Sequence, residues 1–583
     1  MTTDRAFALR AALLRAATQL CVDKGIENFI IAPGSRSAPL TAALAQQPGL
    51  CCRVLPDERA AGYLALGLAQ QTRRVVGLVC TSGTAALNLA PAVTEAYYQG
   101  VPLLVLTADR PSEWLDQQDN QAIHQFRLYE PHILASYEWP VDVSHPDAQW
   151  HVLRTLNEAM DRTAGWQPGP VHINVPLREP LYPASNMPDL PLARAPQVIT
   201  QLPAAPQLST ASWQTLLATW QQSARKLILV GLHPPEPRLA DALAHLSARG
   251  DTAVIADLTA NILPTGTPLH HADAALGTRD QATLAALQPD LVISAGGPVT
   301  SKYIKTFLRQ TAPRAHWHVQ ATPPAPDTFQ ALTQVVPLLP ADFFVQLAER
   351  SALLPSAVSP YAAAWQALEA EAAEQIAGFA AGAPFGELWA TQRVLHALPA
   401  TSRLQLGNSM AIRYANLLGL PPKTALTSVH SNRGTSGIDG CVSTAVGAAL
   451  ATRDLTTLIT GDLGFFYDRN GLWHAHVPAN LRIVLLNNHG GGIFDIIDGP
   501  GSLPATVQET YFLTPQPLTA ARTAADHGLD YWHAASADEV LAALPDFFSP
   551  RPRAAILEIE TDMAVNSAVF RQFKILLADL RLP

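Results

Sequence analysis

The chain has 583 residues, of which 48% are hydrophobic and 15% charged, and it carries a net charge of -9. That length holds roughly three or four domains of about 150 residues each, which excludes a small stapled scaffold, and an acidic balance leaves no electrostatic footprint for nucleic acid. Acidic ligands would need local basic pockets.

Cys21, Cys51, Cys52, Cys80 and Cys441 show no CxxC spacing, so a reducing cytoplasm is the expected location. Near the N-terminus Asp4, Arg5, Arg10 and Arg15 interrupt any signal-peptide core, and no run reaches the roughly 18 apolar residues of a membrane span. Residues 1–185 alternate helical and extended patterns, with strands expected at 29–32, 75–80 and 103–107. Each ends in a loop of turn residues, APGSRSAP, TSGTAA and ADRP, which reads as a doubly wound α/β domain. A proline-rich stretch at 186–212 reads as a linker, and 351–379 as a second one. Between them, 213–350 forms a Rossmann-like middle domain with strands expected at 227–230, 253–256 and 291–294. Its GLHPPEP and SAGGPVT turns do not satisfy GxGxxG, so no dinucleotide is assigned to it. Lys302, just after SAGGPVTS, falls near the carboxyl edge of that sheet and is either a ligand-facing cation or a solvated surface lysine.

The last domain, 380–583, repeats the first. FIIAPGSRS lies beside LQLGNSMAIR, VVGLVCTSGT beside LTTLITGDLG, and VPLLVLTADRP beside LRIVLLNNHG, at an offset of roughly 380 residues that also sets Gly67 over Gly447. The expected fold class is therefore α/β, with three doubly wound domains of which the first and last are related.

The stretch TLITGDLGFFYDRNGLWHAHVPANLRIVLLNNHGGGIF carries the chemistry. Two apolar runs, 455–460 and 481–486, read as buried parallel strands, so Asp462 and Asn488 at their ends can meet at one sheet edge. A carboxylate, an amide oxygen and the carbonyl of Gly490 suit a hard divalent ion, with phosphate oxygens and water completing its shell. In the first domain Glu58 heads the small-residue helix AAGYLALGLA, where desolvation is expected to raise its pKa. It is either a working carboxyl group or a residue that meets the helix dipole.

The GD and NN pairing resembles the thiamine-diphosphate motif, with Leu463 in place of its last glycine. IAPGSRSAPL, TSGTAALNLAPAVTEA, LTADRP, NQAI, GNSMAIR, SNRGTSGIDG and GDLGFFYD with NNHGGGIF together resemble the 2-succinyl-5-enolpyruvyl-6-hydroxy-3-cyclohexene-1-carboxylate (SEPHCHC) synthases of menaquinone biosynthesis. The resemblance implies a transferase that decarboxylates 2-oxoglutarate and adds the succinyl carbanion equivalent to isochorismate. It implies thiamine diphosphate and Mg²⁺ or Mn²⁺ as cofactors, and pyrimidine-binding and diphosphate-binding types for the outer domains. It also implies a homo-oligomer, a dimer or dimer of dimers, with active sites at subunit interfaces.

Residue by residue, the resemblance makes Glu58 the catalytic carboxyl group at the aminopyrimidine. Ser409, Ile438, Asp462, Leu463, Gly464, Asn488 and Phe494 join it around the cofactor, and Asp462, Asn488 and Gly490 hold the metal. Ser409, Arg413 and Arg433 would take the carboxylate of 2-oxoglutarate, while Ser35, Arg36, Arg110, Asn120, Gln121 and Lys302 would take isochorismate. Arginine suits dicarboxylates because it binds them in bidentate fashion and stays charged. Two readings remain beside this one. One is another thiamine-diphosphate carboligase or decarboxylase resembling acetohydroxyacid synthase; the other is a non-catalytic thiamine- or nucleotide-binding α/β protein.

Overall fold

The computed structural model describes residues 3–182, 190–202, 204, 206–262, 268–322, 325–355, 359–421, 426–497 and 499–582. Part of the 186–212 linker and residues 356–358 of the second one lie outside them. Among the described residues no helix is long and apolar enough to cross a membrane.

Three sheets with parallel ladders organise the chain. The first contains β1 (Asn28–Ile31), β2 (Cys51–Val54), β3 (Val76–Cys80), β4 (Leu103–Asp109), β5 (Ala135–Glu138) and β6 (Val171–Pro176) in the order β2-β1-β3-β4-β6-β5. The second contains β7 (Lys226–Val230), β8 (Thr252–Ala256), β9 (Leu291–Ala295), β10 (Ala315–Val319) and β11 (Gln334–Val336) in the order β11-β10-β9-β7-β8. The third contains β12 (Arg403–Leu406), β13 (Ser428–Ser431), β14 (Thr456–Gly461), β15 (Leu481–Asn487), β16 (Asp530–Ala534) and β17 (Ala555–Glu560) in the order β13-β12-β14-β15-β17-β16. Matching β1 to β12 and counting on, the third order is the first order again, as the internal repeat requires. Central strands such as β3, β4 and β15 are buried along their whole length, which explains why their sequences are apolar runs rather than alternations.

The chain divides into two compact units, one of Met1–Pro203, Asn432–Arg453 and Phe466–Leu481, the other of Ala204–Ser431, Asp454–Phe465 and Arg482–Pro583. In the first unit the helices Glu58–Thr72 and Cys441–Leu450 cross at the two glycines that the repeat aligns. A Cβ on Gly67 would stand 2.0 Å from the Thr444 carbonyl oxygen, and one on Gly447 2.0 Å from that of Leu64. Only glycine permits that approach.

Both segments expected to connect the domains are held by neighbouring structure. Residues 190–202 carry no regular structure, but they are strapped to the first unit: Asn157 bonds the Gln197 carbonyl at 3.0 Å and the Ile199 amide at 2.8 Å. The 351–379 segment is mostly the helix Tyr361–Gly382, whose Tyr361, Trp365, Leu368, Ala372 and Ile376 enter the core of the second unit. Those positions recur every three to four residues, a helical stripe that adjoining prolines obscured.

Candidate active site

In the second unit β14 and β15 are neighbours, so Asp462 and Asn488 follow adjacent strand ends at one sheet edge. Asp462 is 3% exposed; its Oδ2 accepts a hydrogen bond from Gln516 Nε2 at 2.7 Å and its Oδ1 one from the Leu463 amide at 2.8 Å. Burial raises its pKa against the pull of those donors. Asn488 Oδ1 accepts from the Gly490 amide at 3.1 Å, and its Nδ2 donates to Glu387 Oε1 at 2.7 Å. Glu387 is itself buried, and burial, followed by the charge of Asp462, pushes its carboxyl up to about 7.

The glycine run packs main chain on main chain. A Cβ on Gly490 would lie 2.5 Å from the Leu513 carbonyl oxygen and one on Gly491 2.7 Å from that of Phe512, so side chains are excluded from this cradle. Phe494 meets Phe512 edge to face at 5.7 Å, Leu463 is half-buried and Gly464 buried. Among the described residues no three His, Cys, Asp or Glu side chains gather in a metal-holding group. What the strand ends offer is one carboxylate, one amide oxygen and a glycine-lined main chain, a donor set that fits a hard ion already carrying phosphate oxygens and water.

Beyond β12, Ser409 adopts φ +73° and opens the helix Met410–Leu418, and Arg413 donates to the Ser409 carbonyl at 2.5 Å. Lys302 is exposed in the first turn of Lys302–Thr311. The cap of that turn, Ser301, donates to Asp273, whose carboxyl burial pushes up to about 6 against the charges of Lys305 and Arg413.

In the first unit Glu58 is half-buried at the head of its small-residue helix. Asn88 Nδ2 stands 3.4 Å from its Oε2, while the helix cap is Asp57, which accepts from the Ala60 amide at 3.0 Å. The next residue, Arg59, donates to Asp468 at 2.9 Å; that carboxylate is wholly buried and also accepts from the Ser443 amide at 2.7 Å.

The arginines expected at substrate are held by protein partners. Arg36, 7% exposed, donates to the Leu177 carbonyl at 3.0 Å and to Glu179 at 3.1 Å; Arg110 donates to the Asn120 carbonyl at 2.6 Å and pairs with Asp119 at 2.5 Å. Ser35 is exposed beside Tyr182, 3.2 Å between hydroxyls, and Asn120 and Gln121 are exposed, the latter with φ +52°. Arg433 is 8% exposed and Ile438 half-buried, on a loop whose amides are gripped by Glu95.

Residues 13–128, which include Ser35, Arg36, Glu58, Arg110, Asn120 and Gln121, match the family described as thiamine pyrophosphate enzyme, N-terminal TPP binding domain. The SEPHCHC synthase of Cytophaga hutchinsonii is 40% identical over 557 residues, covering 95% of this chain and 97% of that protein. The synthases of Porphyromonas gingivalis, 37% identical over 94% of both chains, and Flavobacterium johnsoniae, 35% identical over 97% of this chain and 98% of that one, are similar to it as well. The chain belongs to the SEPHCHC synthase family.

For this synthase the strand-end aspartate, asparagine and glycine run were legible in the sequence, because the turns that carry them are local. Three supporting groups were not. Glu387 lies 101 residues from Asn488, Gln516 lies 54 from Asp462, and Glu95 lies 339 from Gly434. The available signal at Glu95 was a charged residue on the small-residue face of the helix Ala90–Gln99, between buried Ala92, Val93 and Ala96. At Glu387, a carboxylate in a first turn looked like ordinary dipole compensation.

Proposed function

We propose that this synthase family member decarboxylates 2-oxoglutarate and joins the resulting four-carbon unit to isochorismate, giving SEPHCHC and CO₂. The observation that carries the reading is the pairing of buried Asp462 with Asn488 beside a glycine cradle at one sheet edge. Thiamine diphosphate, when bound, supplies the electron sink that a 2-oxo acid needs in order to lose CO₂. Asp462, Asn488 and the Gly490 carbonyl would hold Mg²⁺ or Mn²⁺, and through it the diphosphate. Glu58 would hold a proton at a ring nitrogen of the cofactor's pyrimidine. Leu463, Gly464, Ile438 and Phe494 shape the surroundings and exclude water, which would otherwise protonate the reacting carbon.

Ser409, Arg413 and Arg433 take the distal carboxylate of 2-oxoglutarate. Ser35, Arg36, Arg110, Asn120, Gln121 and Lys302 take isochorismate, with Arg36 and Arg110 pre-oriented by the contacts described above, so that less side-chain freedom is lost on binding. The working form is a cytoplasmic homo-oligomer.

The test is to incubate the purified protein with thiamine diphosphate, Mg²⁺, 2-oxoglutarate and isochorismate and to follow CO₂ release and isochorismate loss together. Equal rates of both, abolished by chelator and restored by Mg²⁺, are expected. Turnover of pyruvate in preference to 2-oxoglutarate would overturn the substrate assignment.

A further inference from the structure

The loop bearing Arg433 and Ile438 hangs on a carboxylate for which the reaction described above has no use. Glu95 is fully shielded from solvent, at 0% exposure, in the helix Ala90–Gln99. Its Oε1 accepts from the Gly434 amide at 2.7 Å; its Oε2 accepts from the Thr435 amide at 2.6 Å and from the Thr435 hydroxyl at 2.5 Å. One carboxylate thus chelates two consecutive main-chain amides, the two immediately after Arg433. Gly434 is matched to that grip, because a Cβ there would stand 2.9 Å from the Glu95 carbonyl oxygen and 3.0 Å from its Oε1.

The far end of the same loop is pinned separately. The Tyr63 hydroxyl donates to Asp439 Oδ2 at 3.0 Å, and a Cβ on Gly440 would lie 2.2 Å from the Tyr63 ring. Arg433 therefore adjoins one pin, and Ile438 adjoins the other. A buried carboxylate could merely satisfy a loop that would otherwise leave amides unbonded. Its placement argues for more: two amides and a hydroxyl converge on one carboxyl group, and they fall on the main chain next to the buried arginine of this loop.

We propose that Glu95 is a positioning residue: by fixing the main chain at Gly434 and Thr435 it sets the direction of the Arg433 guanidinium, and with it the affinity for the carboxylate of the 2-oxo acid. The proposal rests on the reading of Arg433 as a binder of 2-oxoglutarate.

The experiment compares full-length wild type, Glu95→Gln and Thr435→Val, each with thiamine diphosphate and Mg²⁺. Glutamine can accept from one amide but turns an N–H toward the other; valine removes the hydroxyl donor and leaves the carboxylate. In Glu95→Gln the KM for 2-oxoglutarate should rise about tenfold, more than kcat falls, with the KM for isochorismate within about twofold, since a small misplacement of a charged contact costs that much. Thr435→Val should shift the same constant in the same direction by less. Hydrogen exchange of the 432–438 amides should quicken in both variants, which measures the clamp without reference to turnover. Unchanged exchange, or equal losses for both substrates, would overturn the positioning role. A wild type that exchanges slowly at these amides yet ignores 2-oxoglutarate would sink the substrate reading and leave the clamp standing.

Discussion

At Glu58 the ordinary duty of a first-turn carboxylate is already discharged by its neighbour. Asp57 accepts from the Ala60 amide and from Asn470 Nδ2 at 2.8 Å, so the helix start is satisfied without Glu58, whose contact with Asn88 at 3.4 Å is long. That leaves its carboxyl group available to a ligand. Glu58→Gln should therefore lower kcat by about 10²- to 10⁴-fold, the usual worth of a general acid–base group, while thiamine diphosphate affinity measured by calorimetry changes little. Normal turnover in that variant would remove Glu58 from the chemistry. Arg413 is anchored differently, by the carbonyl of Ser409, a residue in left-handed backbone conformation at the mouth of its helix. Arg413→Ala should raise the KM for 2-oxoglutarate by about 10- to 100-fold, as loss of a charge-assisted contact implies, and that for isochorismate much less. Steady-state kinetics with each substrate varied in turn decides it. Both positions were marked in the sequence, Glu58 at the head of a small-residue helix and Arg413 beyond a strand end. Asn88, which meets Glu58, and Asn470, which meets Asp57, carry no mark in the sequence that points to them.

Between elements, the crossing of Glu58–Thr72 with Cys441–Leu450 is a contact that glycine makes possible. With 2.0 Å between a would-be Cβ and a facing carbonyl oxygen, the helices must separate to admit a methyl group. Gly447→Ala should destabilise by about 3 kcal/mol, at the upper end of ordinary overpacking, read as a lower urea midpoint. Gly378, by contrast, is exposed within Tyr361–Gly382 and a Cβ there would meet nothing within 4 Å. Gly378→Ala should stabilise by about 0.5–1 kcal/mol by restricting the unfolded chain. Opposite signs at two helical glycines test packing against propensity. The alignment of Gly67 with Gly447 was visible in the repeat, but their mutual contact was not, because an offset says nothing about which copies touch.

For the molecule as a whole, buried histidines set the acid side of stability. Burial holds His172 down to about 3, and its Nε2 lies 2.7 Å from the Thr107 hydroxyl. His316, beside Ser294 at 2.7 Å, is held down to about 4, first by burial and then by His318. An unfolded histidine titrates near 6.5. Below that pH the unfolded chain binds protons that the folded rings refuse, so this contribution is complete above about 6.5 and is lost as pH falls toward 4 and 3. Each ring should add a slope of about 1.4 kcal/mol per pH unit in that window. Urea midpoints between pH 7 and 4.5 should thus fall less steeply in His172→Gln than in wild type; parallel curves would show that the ring titrates in the folded state.

The sequence by itself determined the positions of the buried strands β1, β3, β4, β7, β8, β9, β14 and β15, the kinship of the first and last α/β segments, and the sheet-edge residues Asp462 and Asn488. All of these are written in local terms, as apolar runs closed by glycine-rich turns, and a parallel sheet converts such runs into strand ends on one edge. The tertiary structure alone decided that Glu387 turns the Asn488 amide, that Gln516 reaches Asp462, and that Glu95 grips the Arg433 loop. Those pairings join residues far apart in the chain, and they follow from which buried donors lacked acceptors once the sheets had stacked their helices. Periodicity carries no record of that requirement, because a hydrogen bond is chosen by proximity in space and not by spacing along the chain.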